Sequence, residues 1–222
     1  MSARRALAGL LVFTFALLPG CTSTSSSSGG ASLPSGAEVL SKSADTMAGV
    51  KSTHFVIKVD GSLPQLAVQD ASGDLNAAGE AQGKAKTNAF GQLVELDFVL
   101  VGGDLHIKGP TGGWQKLPGA LAGQVYDPSA ILNPDKGVAK VLRSVKDPKT
   151  ESSEGSTTVV TGTVPRDVAA ALVPGISADV ASKFVMDKDS LRLQSARFEL
   201  SGAAVEITLS ELDKLVKVSP PA

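Results

Sequence analysis

The sequence predicts a single α+β domain built on one antiparallel sheet. Short segments in which apolar and polar residues alternate recur along most of the chain, and turns rich in Gly, Asp and Pro separate them. Closely spaced segments of this kind are typical of hairpin-connected strands. A few segments with helical periodicity interrupt them, and there is neither an internal repeat nor a second linker. Together these observations predict one α+β domain.

The domain begins with a helix predicted over residues 37–50. Apolar residues such as Leu40 and Ala44 recur there at helical spacing. Ser35 is the candidate N-cap, and Glu38 three residues later predicts a capping box.

Strands follow the helix, because the apolar period changes from helical spacing to two. Phe55 and Ile57 alternate with polar or exposed positions up to the turn at Asp60 and Gly61. Alternation and Gly-rich turns then predict a meander of further strands. These strands cover residues 66–68 with 73–76 as pieces of one strand, 84–89, 94–100, 105–107 and 114–117.

The middle of the chain is predicted to be helical and irregular. Asp127 caps a short helix in which Pro128 takes the first position. A helix is predicted over residues 138–145, and a third, short helix over residues 165–172. Period-two segments fill the rest of the chain and predict strands at residues 149–153, 157–164, 181–186, 191–200 and 203–209.

A leader precedes the domain. Arg4 and Arg5 stand before an uncharged apolar run over residues 6–18, which has the length of a signal-peptide core. The leader ends in Leu-Pro-Gly, directly before Cys21, the only cysteine of the chain. This pattern is typical of bacterial lipoprotein precursors and predicts Cys21 as the lipid attachment site. The alternatives are a chance cysteine beside an ordinary cleavage site, or a short membrane anchor.

The leader also defines the predicted organisation of the chain. Residues 1–20 are predicted to be a signal peptide, and residues 21–36, rich in Ser, Thr and Gly, to be a flexible acylated tether. Residues 37–222 form the predicted lipid-binding domain. The expected location is the outer face of the plasma membrane, where the acylated Cys21 holds the protein in the cell envelope.

Composition limits the range of possible partners. Without Arg4 and Arg5, 19 basic residues stand against 22 acidic ones, so no basic surface is predicted and no nucleic-acid partner is expected. Hydrophobic residues make up 42% of the chain but aromatic residues only 4%, so the apolar content is mostly Ala, Val and Leu. Small side chains fill volume poorly and favour a hollow interior. A GC-rich genome accounts for the same composition equally well.

The sequence carries no metal-binding, catalytic or phosphate-binding signature, and no cofactor is predicted. His54 and His106 each lie on a separate predicted strand, and an exposed strand position is favoured for both over a role as ligand or base. The chain is therefore not expected to be an enzyme.

Several motifs of the chain resemble those of a known family. They are Leu63-Pro64-Gln65-Leu66, Ser72-Gly73-Asp74-Leu75, Asp97-Phe98-Val99, Tyr126-Asp127-Pro128 and the run over residues 131–139. In these motifs the chain resembles the mycobacterial LppX/LprA/LprF/LprG family of cell-envelope lipoproteins, over essentially the whole predicted domain. It departs from the family at residues 183–186, where members often carry Val-Trp-Ile.

The resemblance implies a fold and a function. The implied fold is a half-barrel sheet wrapped around helices and enclosing an apolar cavity, similar to the carriers LolA and LolB. The implied ligands are multiply acylated lipids, such as phosphatidylinositol mannosides, lipoglycans or triacylglycerol. The protein would assist their transfer across the envelope beside a major-facilitator transporter. An adaptor or structural lipoprotein is the alternative, and a lipid esterase is less favoured.

Periodicity indicates which side chains face the interior, and these are the predicted cavity lining. Ordinary core packing is the competing interpretation for each of them. The predicted lining residues are Phe55, Ile57, Val59, Ala85, Ala89, Leu96, Phe98, Leu100, Phe184, Phe198 and Val205.

Overall fold

A computed structural model describes residues 33–63, 68–89, 92–117 and 127–221. Within these ranges the elements are α1 (Gly36–Ala48), β1 (Ser52–Gly61), β2 (Val68–Asn76), β3 (Ala81–Ala89), β4 (Gln92–Val101), β5 (Asp104–Lys108), β6 (Gln115–Leu117), a 3-10 helix (Pro128–Ala130), α2 (Val138–Ser144), β7 (Lys146–Glu154), β8 (Thr157–Val164), α3 (Arg166–Leu172), β9 (Val180–Asp187), β10 (Leu193–Leu200) and β11 (Ala203–Ser210). Among the described helices, none has the length and apolar character needed to cross a bilayer. The predicted leader, and the predicted tether up to residue 32, lie outside the described residues.

The strands of the described ranges form one open antiparallel sheet in the order β6-β5-β4-β3-β2-β1-β11-β10-β9-β8-β7. The order consists of two meanders, β1–β6 and β7–β11, joined where β1 pairs with β11. His54 of β1 lies opposite Ser210 of β11, so the two meanders meet through strands from opposite ends of the domain. The predicted α+β class with a single antiparallel sheet is confirmed.

The β7–β11 half of the sheet carries bulky side chains on its buried face and is filled by the helices. Phe184 of β9 and Phe198 of β10 are fully buried and meet edge to face, with ring centroids 6.4 Å apart. They belong to one hydrophobic cluster with buried residues of α1, α2 and α3. The Met47 sulfur of α1 accepts a hydrogen bond from the backbone N–H of Leu193 at 3.3 Å, which ties the helix to β10.

The β1–β6 half has the opposite character at its centre. The buried face of β2 and β3 carries Ala71, Gly73, Ala81, Gly83 and Ala85, and its larger residues are Val68, Leu75 and Thr87. Ala71 pairs with Ala85, and Gly73 pairs with Gly83. Side chains this small leave space above the sheet that large residues occupy in the other half. The two halves therefore differ in how much volume their own side chains fill.

The opposite face of the sheet carries charges of alternating sign. The pairing register places one row of six across β10, β11, β1, β2, β3 and β4. The row consists of Arg197, Glu206, Lys58, Asp70, Lys86 and Glu95. Opposite charges directly across two strands are favourable, whereas like charges oppose each other. A shift of one strand by one residue would remove this row and expose the apolar face, so the charges help fix the register.

One of the two predicted capping interactions is confirmed and the other is wrong. The Asp127 cap is confirmed, because its carboxylate accepts a hydrogen bond from the Ser129 N–H at 3.0 Å. The capping box at α1 is wrong. Ser35 occupies the N-cap position without a side-chain cap bond, and the Glu38 carboxylate instead accepts from Lys42 at 2.6 Å. The Lys42 ammonium one turn further along draws this carboxylate away from the helix start.

Strand β2 also differs from its prediction as two pieces. It is continuous over Val68–Asn76, with a register irregularity against β3 between Val68 and Asp70. The irregularity and the glycine at position 73 interrupt the alternation of apolar side chains, and this is why the sequence pattern splits the strand.

The carboxylate of Asp213 attaches the C-terminal segment to the sheet, and we expect its contribution to stability to depend on pH. It accepts hydrogen bonds from the Lys51 backbone N–H at 2.9 Å and from Arg192 at 2.6 Å. The hydrogen bond from Lys51 chiefly, and that from Arg192, hold the pKa of Asp213 below its ordinary 3.8. This stabilisation is present above about pH 3.8 and is lost as the pH falls through the lower folded-state pKa.

Asp213→Asn should therefore lower Tm by about 2–4 °C at neutral pH, for a half-exposed bond of about 1 kcal/mol. The difference from wild type should shrink as the pH falls below 3.8. Thermal melts from pH 7 to pH 2.5 measure it, with the exposed Asp135→Asn as control. A difference that stays constant over this range would contradict the expectation.

Candidate functional site

An apolar cavity of about 230 Å³ lies on the buried face of the β1–β6 half. Its wall draws residues from all six strands of the meander and from the start of the 3-10 helix. The wall consists of Phe55, Val68, Ala71, Ala85, Thr87, Leu96, Phe98, Leu105, Ile107, Leu117 and Pro128. Ile107 and Leu117 of this wall are only half-buried.

A glycine pair in β2 and β3 lies next to Ala71 and Ala85 of the cavity wall on the buried face of the sheet. Gly73 and Gly83 lie between Phe55 and Phe98 in one register row across β1, β2, β3 and β4. A Cβ on Gly83 would lie 2.7 Å from the Gly73 Cα, so only glycine permits this approach of the two backbones. With no side chains between them, the two rings tilt together, with centroids 6.5 Å apart. The aromatic pair thus meets above two glycines, which have no side chains.

The chemistry of the wall is that of a hydrocarbon site. Ten of the eleven side chains are aliphatic, aromatic or proline, and Thr87 contributes the single hydroxyl. No carboxylate, imidazole, amine or thiol is present among these described wall residues, so the wall offers no group that could act as a general acid or base. Apolar surface that enters such a space gains about 25 cal/mol per Å². The volume is slightly below the about 300–1,000 Å³ of typical small-molecule pockets.

The sequence of this chain matches a known protein family. Residues 35–218, most of the chain, match the family model described as LppX_LprAFG lipoprotein.

The chain belongs to the LppX_LprAFG lipoprotein family.

Within this family the chain has curated relatives of similar length. It is 35% identical to the lipoarabinomannan carrier protein LprG of Mycolicibacterium smegmatis, over 98% of this chain and 96% of the relative. It is 36% identical to the protein of that name from Mycobacteroides abscessus, over 92% of each chain.

Two solved structures of the LppX_LprAFG family share the fold. The crystal structure of LprF from Mycobacterium bovis covers 84% of this chain and 97% of its own, with a TM-score of 0.76 and 22% identity. The crystal structure of LppX from Mycobacterium tuberculosis covers 82% and 97%, with a TM-score of 0.63 and 21% identity. At these identities the likeness is one of fold alone.

The structure of this family member brings four of the predicted lining residues together at the cavity wall. They are Phe55, Ala85, Leu96 and Phe98. Their contact with a ligand stays a prediction. Ala85 pairs with Leu96 across β3 and β4. This pair lies two residues along the strands from the row that contains Phe55 and Phe98, and so on the same face of the sheet. Two neighbouring rows of the sheet therefore supply all four.

Six other predicted lining residues lie elsewhere among the described residues. Phe184, Phe198 and Val205 belong to the half that the helices fill, where they are at most 1% exposed. Ile57 and Leu100 are buried in the hydrophobic core, and Val59 packs against it half-buried. Their periodicity is correct, since they face inward, but none of the six belongs to the wall of this cavity.

Two predictions fall outside what the structure describes. Cys21 lies before residue 33, and the side chain of Ala89 at the end of β3 is not described. Their roles stay predictions.

The prediction from sequence also missed part of the wall. The missed residues are Val68, Ala71, Thr87, Leu105, Ile107, Leu117 and Pro128. Alternation on β5 was the available signal for Leu105 and Ile107, whereas the irregular β2 gave none for Val68 and Ala71.

Proposed function

We propose that this protein binds acylated lipids by enclosing hydrocarbon in the β1–β6 cavity and assists their transfer across the cell envelope. The observation that carries the proposal is an apolar cavity in a sheet half whose central strands pair Ala71 with Ala85 and Gly73 with Gly83 on the inner face. The names of the relatives, lipoarabinomannan carrier protein LprG, support a ligand with both acyl chains and sugars. Phosphatidylinositol mannosides, lipoglycans and triacylglycerol are the proposed ligand classes.

The energetics of an acyl chain explain why such a protein is useful. Exposing a chain of about 16 methylenes to water costs on the order of 13 kcal/mol, at ~0.8 kcal/mol for each CH2. A lipid with two or three chains therefore does not cross an aqueous gap uncovered. A cavity that shields even part of one chain lowers this barrier, and the wall needs no reactive group to do so. The proposed role is accordingly carriage without catalysis.

The proposed location follows from the leader. Cys21, acylated after removal of residues 1–20, would hold the protein at the outer face of the plasma membrane. Two or three acyl chains give stable anchorage, whereas a single chain gives only marginal binding. The Ser-rich segment after Cys21 would allow the domain to reach a partner such as a major-facilitator transporter.

Lipid extraction from the purified protein tests the proposal. A Cys21→Ser variant, which has no acylated anchor of its own, is expressed in an actinobacterial host and weighed intact by native mass spectrometry. We expect a fraction of the molecules to carry an added mass that chloroform–methanol extraction identifies as acylated lipid. We also expect the protein to speed exchange of a fluorescent diacyl lipid between vesicles.

Two outcomes would favour other functions. Protein that carries no lipid and leaves the exchange rate unchanged would indicate an adaptor or structural role. Release of fatty acid from a generic ester would indicate an esterase.

A further inference from the structure

A cluster of possible metal ligands lies on the charged face of the sheet, away from the cavity. It consists of His54 on β1, Asp74 on β2 and Glu211 directly after β11. One ligand atom from each residue lies within 4.8 Å of the others, and the His54 Nδ1 is 2.9 Å from an Asp74 carboxylate oxygen. His54 and Asp74 are 36% and 38% exposed, so an ion can reach them from solvent.

The strand register brings the three residues together. Asp74 of β2 and Ser210 of β11 lie on either side of His54 in adjacent strands, so Asp74 and His54 share one row of the sheet. Glu211 directly follows Ser210, at the end of β11. Two of the three side chains therefore project from central strands of an 11-stranded sheet, where the backbone positions are fixed by hydrogen bonds on both sides.

We propose that His54, Asp74 and Glu211 bind a divalent transition-metal ion, with Zn²⁺ as the representative. One imidazole nitrogen and two carboxylate oxygens form a donor set that suits Zn²⁺. Zn–N and Zn–O bonds of about 2.0–2.2 Å place tetrahedral ligand atoms about 3.3 Å apart. The present separations, all within 4.8 Å, are close to this geometry. Because the cluster is half-exposed, water takes the fourth position.

Lys214 is the group that a metal ion must displace. Its ammonium lies 2.7 Å from the Glu211 carboxylate. The field of the two carboxylates thus already attracts a cation to this position. Removal of the lysine charge should therefore strengthen metal binding, whereas removal of the imidazole should weaken it.

Isothermal titration with ZnCl2 alone tests the proposal through these opposite effects. The protein is the full chain with Cys21→Ser and without a polyhistidine tag, so that no other thiol or imidazole cluster competes. Wild type should bind one Zn²⁺ per chain. His54→Gln should lower the affinity by at least about tenfold. Lys214→Gln should raise it about three- to fivefold, as expected for removal of one exposed charge pair. His106→Gln, at the other histidine of the chain, should change nothing.

A second measurement locates the ion directly. Zn²⁺ should shift the ring resonances of His54 and leave those of His106 in place. Equal Zn²⁺ affinities for wild type and His54→Gln, or no binding by wild type at millimolar Zn²⁺, would overturn the proposal. Zn²⁺ affinity that is unchanged in Lys214→Gln would overturn the placement of the ion between Asp74 and Glu211. Lipid binding does not involve these residues, so failure here leaves the proposed carrier function untouched.

Discussion

Replacement of Ala85 by tryptophan is expected to prevent lipid from occupying the cavity while the sheet stays folded. Ala85 is 8% exposed, lines the wall and pairs with Ala71 and Leu96, which line it too. An indole at this position extends into a space of about 230 Å³ rather than into packed side chains. Exclusion of only two methylenes at ~0.8 kcal/mol each weakens binding by about tenfold. We therefore expect at least a tenfold loss of affinity.

The matched control places the same side chain on the opposite face of the same strand. Asn88 is exposed on β3 and, three positions from Ala85, points away from the cavity. Asn88→Trp should carry lipid at the wild-type level in native mass spectra, whereas Ala85→Trp should not. Circular dichroism and Tm of both variants verify that the fold is kept. A folded Ala85→Trp protein with wild-type lipid content would show that the ligand lies elsewhere.

The sequence predicts the elements of this fold well, because local periodicity determines them. The strand Thr157–Val164 matches its predicted range, and β4 and β5 differ from theirs only at the ends. The pairing of β1 with β11, by contrast, cannot be predicted from local periodicity. No local pattern indicates that His54 lies opposite Ser210, because the pairing depends on how two meanders meet in space.

The position of the cavity also cannot be predicted from local periodicity. Phe55 and Phe184 both face inward on strands of similar pattern, yet one lines the cavity and the other is packed in the helix-filled half. What separates them is the position of the helices and the size of the side chains on the neighbouring strands. The Ala and Gly residues of β2 and β3 are the signal in the sequence, but they become informative only once the register pairs Ala71 with Ala85 and Gly73 with Gly83.

The cluster of His54, Asp74 and Glu211 could not be predicted from the sequence either, because only the fold brings its members together. His54 was expected to be an exposed strand residue, and it is half-exposed on the outer face, as its alternation with Phe55 indicates. Asp74 and Glu211 lie far from it in the chain, and no metal-binding spacing connects the three. Only the order β2-β1-β11 makes them neighbours.

Substitution of Gly83 by alanine is expected to destabilise the protein strongly. The new Cβ would overlap the Ser72 carbonyl oxygen and lie 2.7 Å from the Gly73 Cα, so both contacts are with backbone of the neighbouring strand. Backbone in a central strand cannot move aside without lengthening the hydrogen bonds of the β2–β3 ladder. Overpacking of this kind costs about 3 kcal/mol, or about 6–12 °C in Tm for a domain of this size.

Gly109→Ala is the matched control, because it adds the same methyl group after β5, where no atom lies within 4 Å. Its free energy of unfolding should stay within about 0.5 kcal/mol of wild type. Gly73→Ala should destabilise the protein much as Gly83→Ala does, and the double variant should cost less than the sum, since one separation of β2 from β3 relieves both clashes. Urea denaturation of the four variants measures these differences. If Gly83→Ala unfolds at the wild-type urea concentration, the two backbones are not in close contact, and the pairing of Phe55 with Phe98 above them needs another cause.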